Sequence, residues 1–273
     1  MQLAWKNKIV LVCGASAGLG WQLTASLAEQ GASVIMVARD PSRLNAAQSQ
    51  IVQRIPTAQL FTISGDLTSV ESAANVAADV RQRFDHLDMV INAVGESDRG
   101  SIDKLSLNRM LDLVRTNVGS GLNAIQQFSP LLKPTHGVLV LIGSLSSHFS
   151  PRFMGGYAIA KHGLAALAQQ ARLELAADGI CVILVSPGPI AREDAGQRYS
   201  HSVQAAELPP EALKSGGGAK IRGLDPVKLA EEILAAAAKR RSLLILPRKA
   251  RLLLIASALS PTLGEYLLRK FTS

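Results

Sequence analysis

Short runs of β-branched and apolar residues alternate along this chain with longer Ala- and Leu-rich segments of helical period. This alternation predicts an α/β fold in which a parallel sheet is covered by helices on both faces. We expect seven strands, at 8–13, 33–38, 59–64, 89–93, 138–142, 180–185 and 243–246. Helices are expected near 19–30, 41–54, 69–84, 103–130, 155–177 and 226–240.

The 273 residues, 48% of them hydrophobic, are enough to bury a full core as one domain. Two regions break the alternation. Residues 191–224, rich in proline and glycine, are expected to form a mobile lid, because loops after strand ends border ligand sites in open α/β sheets. A surface loop without a role is the alternative. We assign residues 1–247 to the domain and the basic, apolar residues 248–273 to a helical extension.

Charge and targeting signals narrow the class of protein. The net charge is +8, but the segment from Lys239 to Ser273 carries +7 of it, which argues against a nucleic-acid groove through the body. Neither a secretory signal nor an apolar run of about 18 residues is present, so we expect a cytoplasmic protein. Cys13 and Cys181 lie in apolar runs and are expected to be reduced and buried, and no spacing typical of metal ligands occurs.

A glycine-rich turn, GASAGLG from Gly14 to Gly20, follows the first strand and opens the first helix. Such a turn lets backbone N–H groups and the helix dipole approach a pyrophosphate. Its position in a β-α-β unit favours a dinucleotide site over a ligand-free tight turn.

The second strand ends at Arg39 without a carboxylate at Val37 or Ala38. An arginine attracts a 2′-phosphate, whereas an acid accepts from a ribose 2′-hydroxyl, so NADP is favoured over NAD. Asp40 follows directly and weakens this argument, and Arg39 as a merely solvated charge is the alternative. Ser16 and Arg43 are candidate second contacts.

Ser144, Tyr157 and Lys161 form the candidate catalytic group. Tyr157 and Lys161 are separated by one helical turn, so the ammonium can lower the pKa of the phenol from its usual value of about 10. A phenol tuned in this way exchanges a proton near neutral pH. Ser144 follows the fifth strand, where a hydroxyl can hydrogen-bond a substrate carbonyl.

These motifs, with others, occur in the order and approximate spacing of the short-chain dehydrogenases/reductases, which the chain resembles over about residues 5–247. The motifs are the glycine turn, Asp66-Leu67, Asn92-Ala93-Val94-Gly95, Asn117, Ser144, Tyr157-x3-Lys161 and Pro187-Gly188. The resemblance implies a single Rossmann-type domain and the interconversion of a ketone or aldehyde with the corresponding alcohol. It also implies a homodimer or homotetramer.

The resemblance assigns roles to the matching residues. Tyr157 would donate the proton during reduction, Ser144 would polarise the carbonyl, and Lys161 would hold the nicotinamide ribose and tune Tyr157. Asn117 would hold a water in a proton relay, and Asp66 would contact the adenine. The expected cofactor contacts are Gly14, Ser16, Ala17, Gly18, Leu19, Gly20, Arg39, Arg43, Asp66, Leu67, Asn92, Ala93, Gly95, Tyr157, Lys161, Pro187, Gly188 and Ile190.

Three positions depart from the family pattern. Cys13 stands where the family usually has threonine, Ala93-Val94 replaces Asn-Ala, and Arg192 replaces a threonine that meets the cofactor. None of these positions is among the candidate catalytic residues Asn117, Ser144, Tyr157 and Lys161. His148, four residues after Ser144, is either a substrate contact or a surface or capping residue.

Alternative functions stay open. One is a catalytically idle dinucleotide sensor or scaffold, and another is a sugar-nucleotide epimerase or dehydratase, against which the glycine spacing argues.

The C-terminal extension, divided by Pro261 into two helix candidates, either packs on the protein or a partner subunit or lies on an anionic membrane. In the second case we expect peripheral membrane association and a lipid-like or steroid-like substrate.

Overall fold

A computed structural model describes residues 4–191, Leu208, Ala212 and 222–271. The strands are β1 (Ile9–Cys13), β2 (Ser33–Ala38), β3 (Gln59–Ser64), β4 (Met89–Asn92), β5 (Val138–Ile142), β6 (Cys181–Pro187) and β7 (Leu243–Leu246). They form one parallel sheet in the order β3-β2-β1-β4-β5-β6-β7. All seven predicted strands are confirmed, with bounds that differ from the prediction by two residues at most.

The helices lie between the strands, as the alternation predicts. In the described ranges they are α1 (Gly18–Glu29), α2 (Pro41–Arg54), α3 (Val70–Arg83), α4 (Leu107–Val114), α5 (Ser120–Leu132), α6 (Tyr157–Glu174), α7 (Pro226–Ala238), α8 (Ala250–Leu259) and α9 (Pro261–Phe271). Side chains fix several of their starts. Asp40, Ser69 and Asp225 each accept hydrogen bonds from backbone N–H groups of the first turn of α2, α3 and α7.

Two hydrophobic layers enclose the sheet. Along β1, Val10 and Val12 point into the layer formed with α1, α2 and α7, whereas Leu11 and Cys13 point into the layer formed with α3, α5 and α6. All four side chains are fully buried. Because strands buried on both faces read as continuous apolar runs, the sequence pattern and the structure agree, and the doubly wound α/β fold is confirmed.

The segment predicted as one helix over 103–130 is interrupted. A 3-10 turn (Ile102–Lys104) precedes α4, and a π-helical turn (Arg115–Gly119) joins α4 to α5. A π-helical turn inserts one extra residue into a helix and is common at functional sites. Hydrophobic period does not report such an insertion, because the apolar stripe continues on both sides of it.

The start and end of the predicted lid are paired with each other. The Ala191 backbone N–H donates to Leu224 O at 2.8 Å, and the Leu224 N–H donates to Pro189 O at 2.7 Å. The chain therefore leaves β6 and returns to α7 at one place. The rest of the predicted lid at 191–224, Arg192 included, lies outside the described residues, except Leu208, Ala212 and 222–224.

The C-terminal extension forms two helices that pack against each other, which we call the C-terminal helix pair (residues 250–271). Ser260 alone joins α8 to α9, so the division predicted at Pro261 is confirmed. A Cβ atom on Gly264 of α9 would overlap Ser257 of α8, which shows how closely the two backbones approach. Within the described ranges, no helix combines the length and apolar character that crossing a bilayer requires.

Candidate active site

The glycine-rich turn between β1 and α1 lies against the end of β4. Gly14 has a φ of +82°, and a Cβ atom there would lie 3.1 Å from the carbonyl carbon of Ala93. A Cβ atom on Gly20 would collide with Gly14 O. Both positions therefore require glycine, and the turn leaves its backbone open to close approach by a ligand.

The start of α1 lacks the side-chain cap that α2, α3 and α7 possess. Ala17 is the N-cap residue, no side chain accepts from the first turn, and no acidic residue lies within that turn. The first N–H groups of a helix need partners, and the helix dipole favours an anion there. Together with the glycine turn, this end of α1, where Ser16, Gly18 and Leu19 also lie, fits the pyrophosphate of a dinucleotide.

The end of β2 carries an exposed arginine, Arg39, next to an exposed acid, Asp40. The Asp40 carboxylate accepts from the backbone N–H groups of Ser42 and Arg43 at 2.9 and 3.1 Å, so it is engaged in capping α2. The Arg39 side chain is 76% exposed, with its Nη1 3.9 Å from an Asp66 oxygen. Asp40 therefore has a capping role at the start of α2, next to Arg39.

The Asp66-Leu67 pair follows β3 and is held by its neighbours. One Asp66 carboxylate oxygen accepts from both the backbone N–H and the hydroxyl of Thr68, each at 2.8 Å. Leu67 is buried, and its carbonyl accepts from Asn123 Nδ2 at 2.8 Å. These contacts fix the pair at the carboxyl edge of the sheet, on the same side as the glycine turn.

Tyr157 and Lys161 share one face at the start of α6. Lys161 is only 4% exposed, its Nζ donates to Ile142 O at the end of β5 at 2.9 Å, and it lies 5.7 Å from the centroid of the Tyr157 ring. Burial lowers the pKa of Lys161 to about 8. A buried ammonium beside a phenol favours the phenolate, because the opposite charge is close and poorly screened.

Ser144 lies two residues beyond Ile142, at the carboxyl end of β5. Its backbone is extended, its hydroxyl accepts from the Ser146 N–H at 3.1 Å, and its own N–H donates to Ser147 Oγ at 3.1 Å. These reciprocal bonds form a capping box that fixes the Ser144 backbone. The Lys161 contact with Ile142 ties the start of α6 to this strand end.

Asn117 sits within the π-helical turn and is completely buried. Its Nδ2 donates to Glu96 O and Leu113 O at 2.9 and 3.0 Å, and its Oδ1 accepts from the Glu96 N–H at 3.3 Å. A Cβ atom on Gly95 would lie 2.9 Å from Asn117 Oδ1 and 3.3 Å from Lys161 Nζ. The structure therefore brings Gly95, Asn117 and Lys161 together, and the Asn117 amide is engaged in holding the loop after β4.

Asn92 connects β4 to α5. Its Nδ2 donates to Ser120 Oγ at 3.2 Å, and its Oδ1 accepts from the Val94 N–H at 3.2 Å. The Ala93 N–H donates to Cys13 O at 2.9 Å, which joins the ends of β4 and β1. The Ser120 contact was not predicted, because serine in a helical segment carries no signal of a long-range partner.

The segment from Pro187 to Ile190 leaves β6 at the same edge. The Gly188 N–H donates to Leu246 O at 2.6 Å, and Ile190 forms a β-bridge with Leu224.

Burial explains why a cysteine, Cys13, can stand where the family usually has threonine. Cys13 is fully buried beneath the glycine turn, and burial raises the pKa of its thiol, so it serves as a small apolar residue there.

His148 takes part in a partly buried polar contact. Its Nε2 lies 2.9 Å from the Oγ of Ser186, a fully buried residue of β6. Burial lowers the pKa of His148, and His162 adds a smaller effect in the same direction. His162 is exposed, with its Nδ1 2.8 Å from Ala158 O. Sequence analysis missed Ser186, although it directly precedes the Pro187-Gly188 motif.

A charged cluster borders the loop after β4. Arg109 Nη2 lies 2.7 Å from Glu96 Oε1 and 3.2 Å from Asp98 Oδ1. The buried Arg99 donates from Nε to Ala212 O at 2.9 Å. Sequence spacing gave no signal for these contacts, because they join loop residues to separate segments. In the part of the chain that the structure describes, no three His, Cys, Asp or Glu side chains gather as metal ligands would.

Comparisons with known proteins agree with this geometry. The model of the short chain dehydrogenase family matches residues 8–202. An uncharacterized oxidoreductase of Staphylococcus epidermidis is 30% identical over 186 residues, which cover 68% of this chain and 79% of that protein. The dehydrogenase/reductase SDR family member 7B of Danio rerio is 26% identical, with 96% of this chain and 81% of that protein covered.

Solved structures share the fold. The L-sorbose reductase of Gluconobacter frateurii, determined in complex with NADPH and L-sorbose, superposes with a TM-score of 0.79 at 19% identity. The match covers 90% of this chain and 97% of the reductase. At this identity the similarity supports the fold alone.

Proposed function

This chain belongs to the short-chain dehydrogenase family, and from that premise we propose that it is an NADP(H)-dependent oxidoreductase that interconverts a ketone or aldehyde and the corresponding alcohol. The observation that carries the proposal is the burial of Lys161 beside the Tyr157 ring. Burying an ammonium costs stability, so this arrangement is better explained by chemistry than by packing.

Tyr157 and Ser144 act on the substrate oxygen in this proposal. When bound, NADPH supplies the hydride that reduces the carbonyl carbon. The Ser144 hydroxyl donates a hydrogen bond to the carbonyl oxygen and so stabilises the negative charge that develops there. The Tyr157 phenol then transfers its proton to that oxygen, which yields the alcohol and leaves a phenolate.

Lys161 and Asn117 support the proton transfer. The Lys161 ammonium stabilises the Tyr157 phenolate and thereby lowers the pKa of the phenol. Asn117 holds the loop after β4 through Glu96 and so keeps Gly95 against Lys161. In the same proposal, Asn117 also holds a water that takes part in the proton relay.

The glycine turn, the open start of α1 and the end of β2 form the proposed cofactor site. The first two hold the pyrophosphate, and Arg39 with Arg43 holds the 2′-phosphate. The preference for NADP rests on the exposed Arg39 side chain and on the lack of a carboxylate at Val37 and Ala38. An acid free to accept from a ribose 2′-hydroxyl would favour NAD.

The proposal is tested by NADPH oxidation with a panel of carbonyl compounds, from small diketones to long-chain 3-keto lipids and steroids. We expect Tyr157→Phe to lower turnover by roughly 10²–10⁴-fold, the usual contribution of a general acid, while the NADPH affinity is retained. Tyr266→Phe, on the exposed C-terminal helix pair, is the matched control and should behave as the wild type. Retained turnover in Tyr157→Phe would refute the assignment, and NADPH binding without turnover of any carbonyl compound would favour an idle dinucleotide sensor.

A further inference from the structure

The C-terminal helix pair presents large apolar side chains to solvent. On α8, Leu252, Ile255 and Leu259 are 71%, 56% and 82% exposed. Their spacing of three and four residues places them on one face of the helix. On α9, Leu263 and Tyr266 are exposed and are again three residues apart. Monomeric soluble proteins rarely expose contiguous apolar patches of this kind without a partner.

The exposed stripe of α8 does not arise from a loose arrangement of the two helices. Gly264 packs so closely on Ser257 that any side chain there would meet the α8 backbone. Leu253, Leu254 and Leu267 are partly buried. The pair therefore has its own interior contact, and the exposed stripe lies outside it.

Basic side chains flank this apolar surface. Arg248, Lys249 and Arg251 lie at the start of α8, and Arg269 and Lys270 lie at the end of α9. Both basic groups belong to the helix pair that carries the apolar stripe. From 248 to 270 the acidic residue is Glu265, whose carboxylate is 3.6 Å from Arg269.

A small surface cavity of about 50 Å³ lies beside the start of α8. Three cations, Lys239, Arg241 and Arg248, line it together with Glu232, and Glu232 is paired with Arg248 at 3.1 Å. The excess of positive charge thus continues from the helix pair onto the adjoining end of α7 and the start of β7.

We propose that the C-terminal helix pair docks on an anionic lipid bilayer. The apolar stripe would enter the boundary between headgroups and acyl chains, and the flanking cations would contact lipid phosphates and carboxylates. A second copy of the chain fits this surface less well, because a two-fold contact would set two such basic segments against each other. An anionic bilayer supplies an apolar phase and the opposite charge together.

Cosedimentation with vesicles tests the proposal. We expect the full chain to bind vesicles made of equal parts phosphatidylserine and phosphatidylcholine. Binding to vesicles of pure phosphatidylcholine should be weaker by a factor of about ten or more. Added salt should weaken the binding, because it screens the cations. The triple variant Leu252→Asp, Ile255→Asp, Leu259→Asp should lose binding by about tenfold or more. The matched control is Val70→Asp, an exposed apolar residue at the start of α3, which follows β3 at the edge of the sheet opposite β7, and it should bind as the wild type.

Three outcomes would overturn the proposal: no binding to either vesicle, equal binding to both vesicles, or unchanged binding in the triple variant. Light scattering on a sizing column tests the alternative that a second copy of the chain covers this surface. That alternative is supported if the wild type does not bind vesicles and the triple variant forms a smaller assembly than the wild type. Turnover of a water-soluble diketone by the triple variant is the independent control. It should equal the wild-type value, so that failure of membrane docking is distinguished from failure of the proposed reaction.

Discussion

Gly95→Ala is the substitution whose effect the site geometry determines most directly. The new methyl group would lie 2.9 Å from Asn117 Oδ1 and 3.3 Å from Lys161 Nζ, inside the ordinary contact distance of about 3.5 Å. Neither neighbour moves freely. The Asn117 amide holds three hydrogen bonds, to both backbone groups of Glu96 and to Leu113 O, and Lys161 is tied to Ile142 O.

The loss of stability in Gly95→Ala follows from the contacts that must shift to admit the methyl group. Overpacking of this kind costs about 1–3 kcal/mol, and each hydrogen bond that the amide loses costs about 1 kcal/mol. Alanine lowers the entropy of the unfolded chain and returns about 0.4–1 kcal/mol. With one hydrogen bond lost, these contributions lower the free energy of unfolding by about 1–3.6 kcal/mol. Displacement of Lys161 by a few tenths of an ångström should lower kcat by roughly tenfold, given that a shift of about 1 Å costs roughly 10²-fold.

Chemical denaturation and steady-state reduction of a diketone measure the two effects on the same protein. Gly119→Ala is the matched control, because it lies two residues from Asn117 and its Cβ atom would be 3.9 Å from the nearest heavy atom, Arg115 Cγ. That variant should be as stable as the wild type or more stable, since alanine favours a helix by about 1 kcal/mol. If Gly95→Ala keeps both the wild-type unfolding curve and the wild-type kcat, the close packing of Gly95, Asn117 and Lys161 is not what supports the site.

Arg39→Ala should raise the KM for NADPH by about tenfold or more and leave the KM for NADH nearly unchanged, because it removes the proposed 2′-phosphate contact. Arg81→Ala, an exposed arginine of α3, is its control, and an equal change for both cofactors would contradict the assignment. The folded-state pKa of Lys161 is about 8, below the ordinary value of 10.5, so the unfolded chain binds more protons between these values and stability should rise with pH from about 8 to 10.5. Lys161→Met should lack that rise, which denaturation at a series of pH values measures. Asp225→Ala should lower the free energy of unfolding by about 1 kcal/mol through loss of the α7 cap, with kcat unchanged, and an undiminished stability would mean that this cap is dispensable.

The sequence predicted the sheet almost residue by residue, because each buried strand is a continuous apolar run bounded by polar or turn residues. The π-helical turn at Arg115–Gly119 was beyond such reasoning. It places Asn117 where its side chain bonds Glu96, a contact that follows from tertiary packing and not from helical period.

The candidate site was partly predictable for the same reason. Glycine turns and the Tyr157-x3-Lys161 spacing are local patterns, so their residues were named in advance. The contact of Arg99 with Ala212 and the pair of His148 with Ser186 join distant segments and have no local signature. The capping role of Asp40 was not anticipated either, although Asp before Pro41 is a common start of a helix.

The two cysteines differ in exposure, so the rate at which a thiol reagent labels them can report ligand binding. Burial raises the thiol pKa of both, but Cys13 is fully buried beneath the glycine turn, whereas Cys181, at the start of β6, is partly exposed. A thiol reagent therefore reaches Cys181 in the folded state and reaches Cys13 only when the layer between the sheet and α3, α5 and α6 opens. Since any ligand of the glycine turn binds the folded state, it lowers the population of that opening. The rate of Cys13 labelling thus reports occupancy of the turn without any reaction taking place.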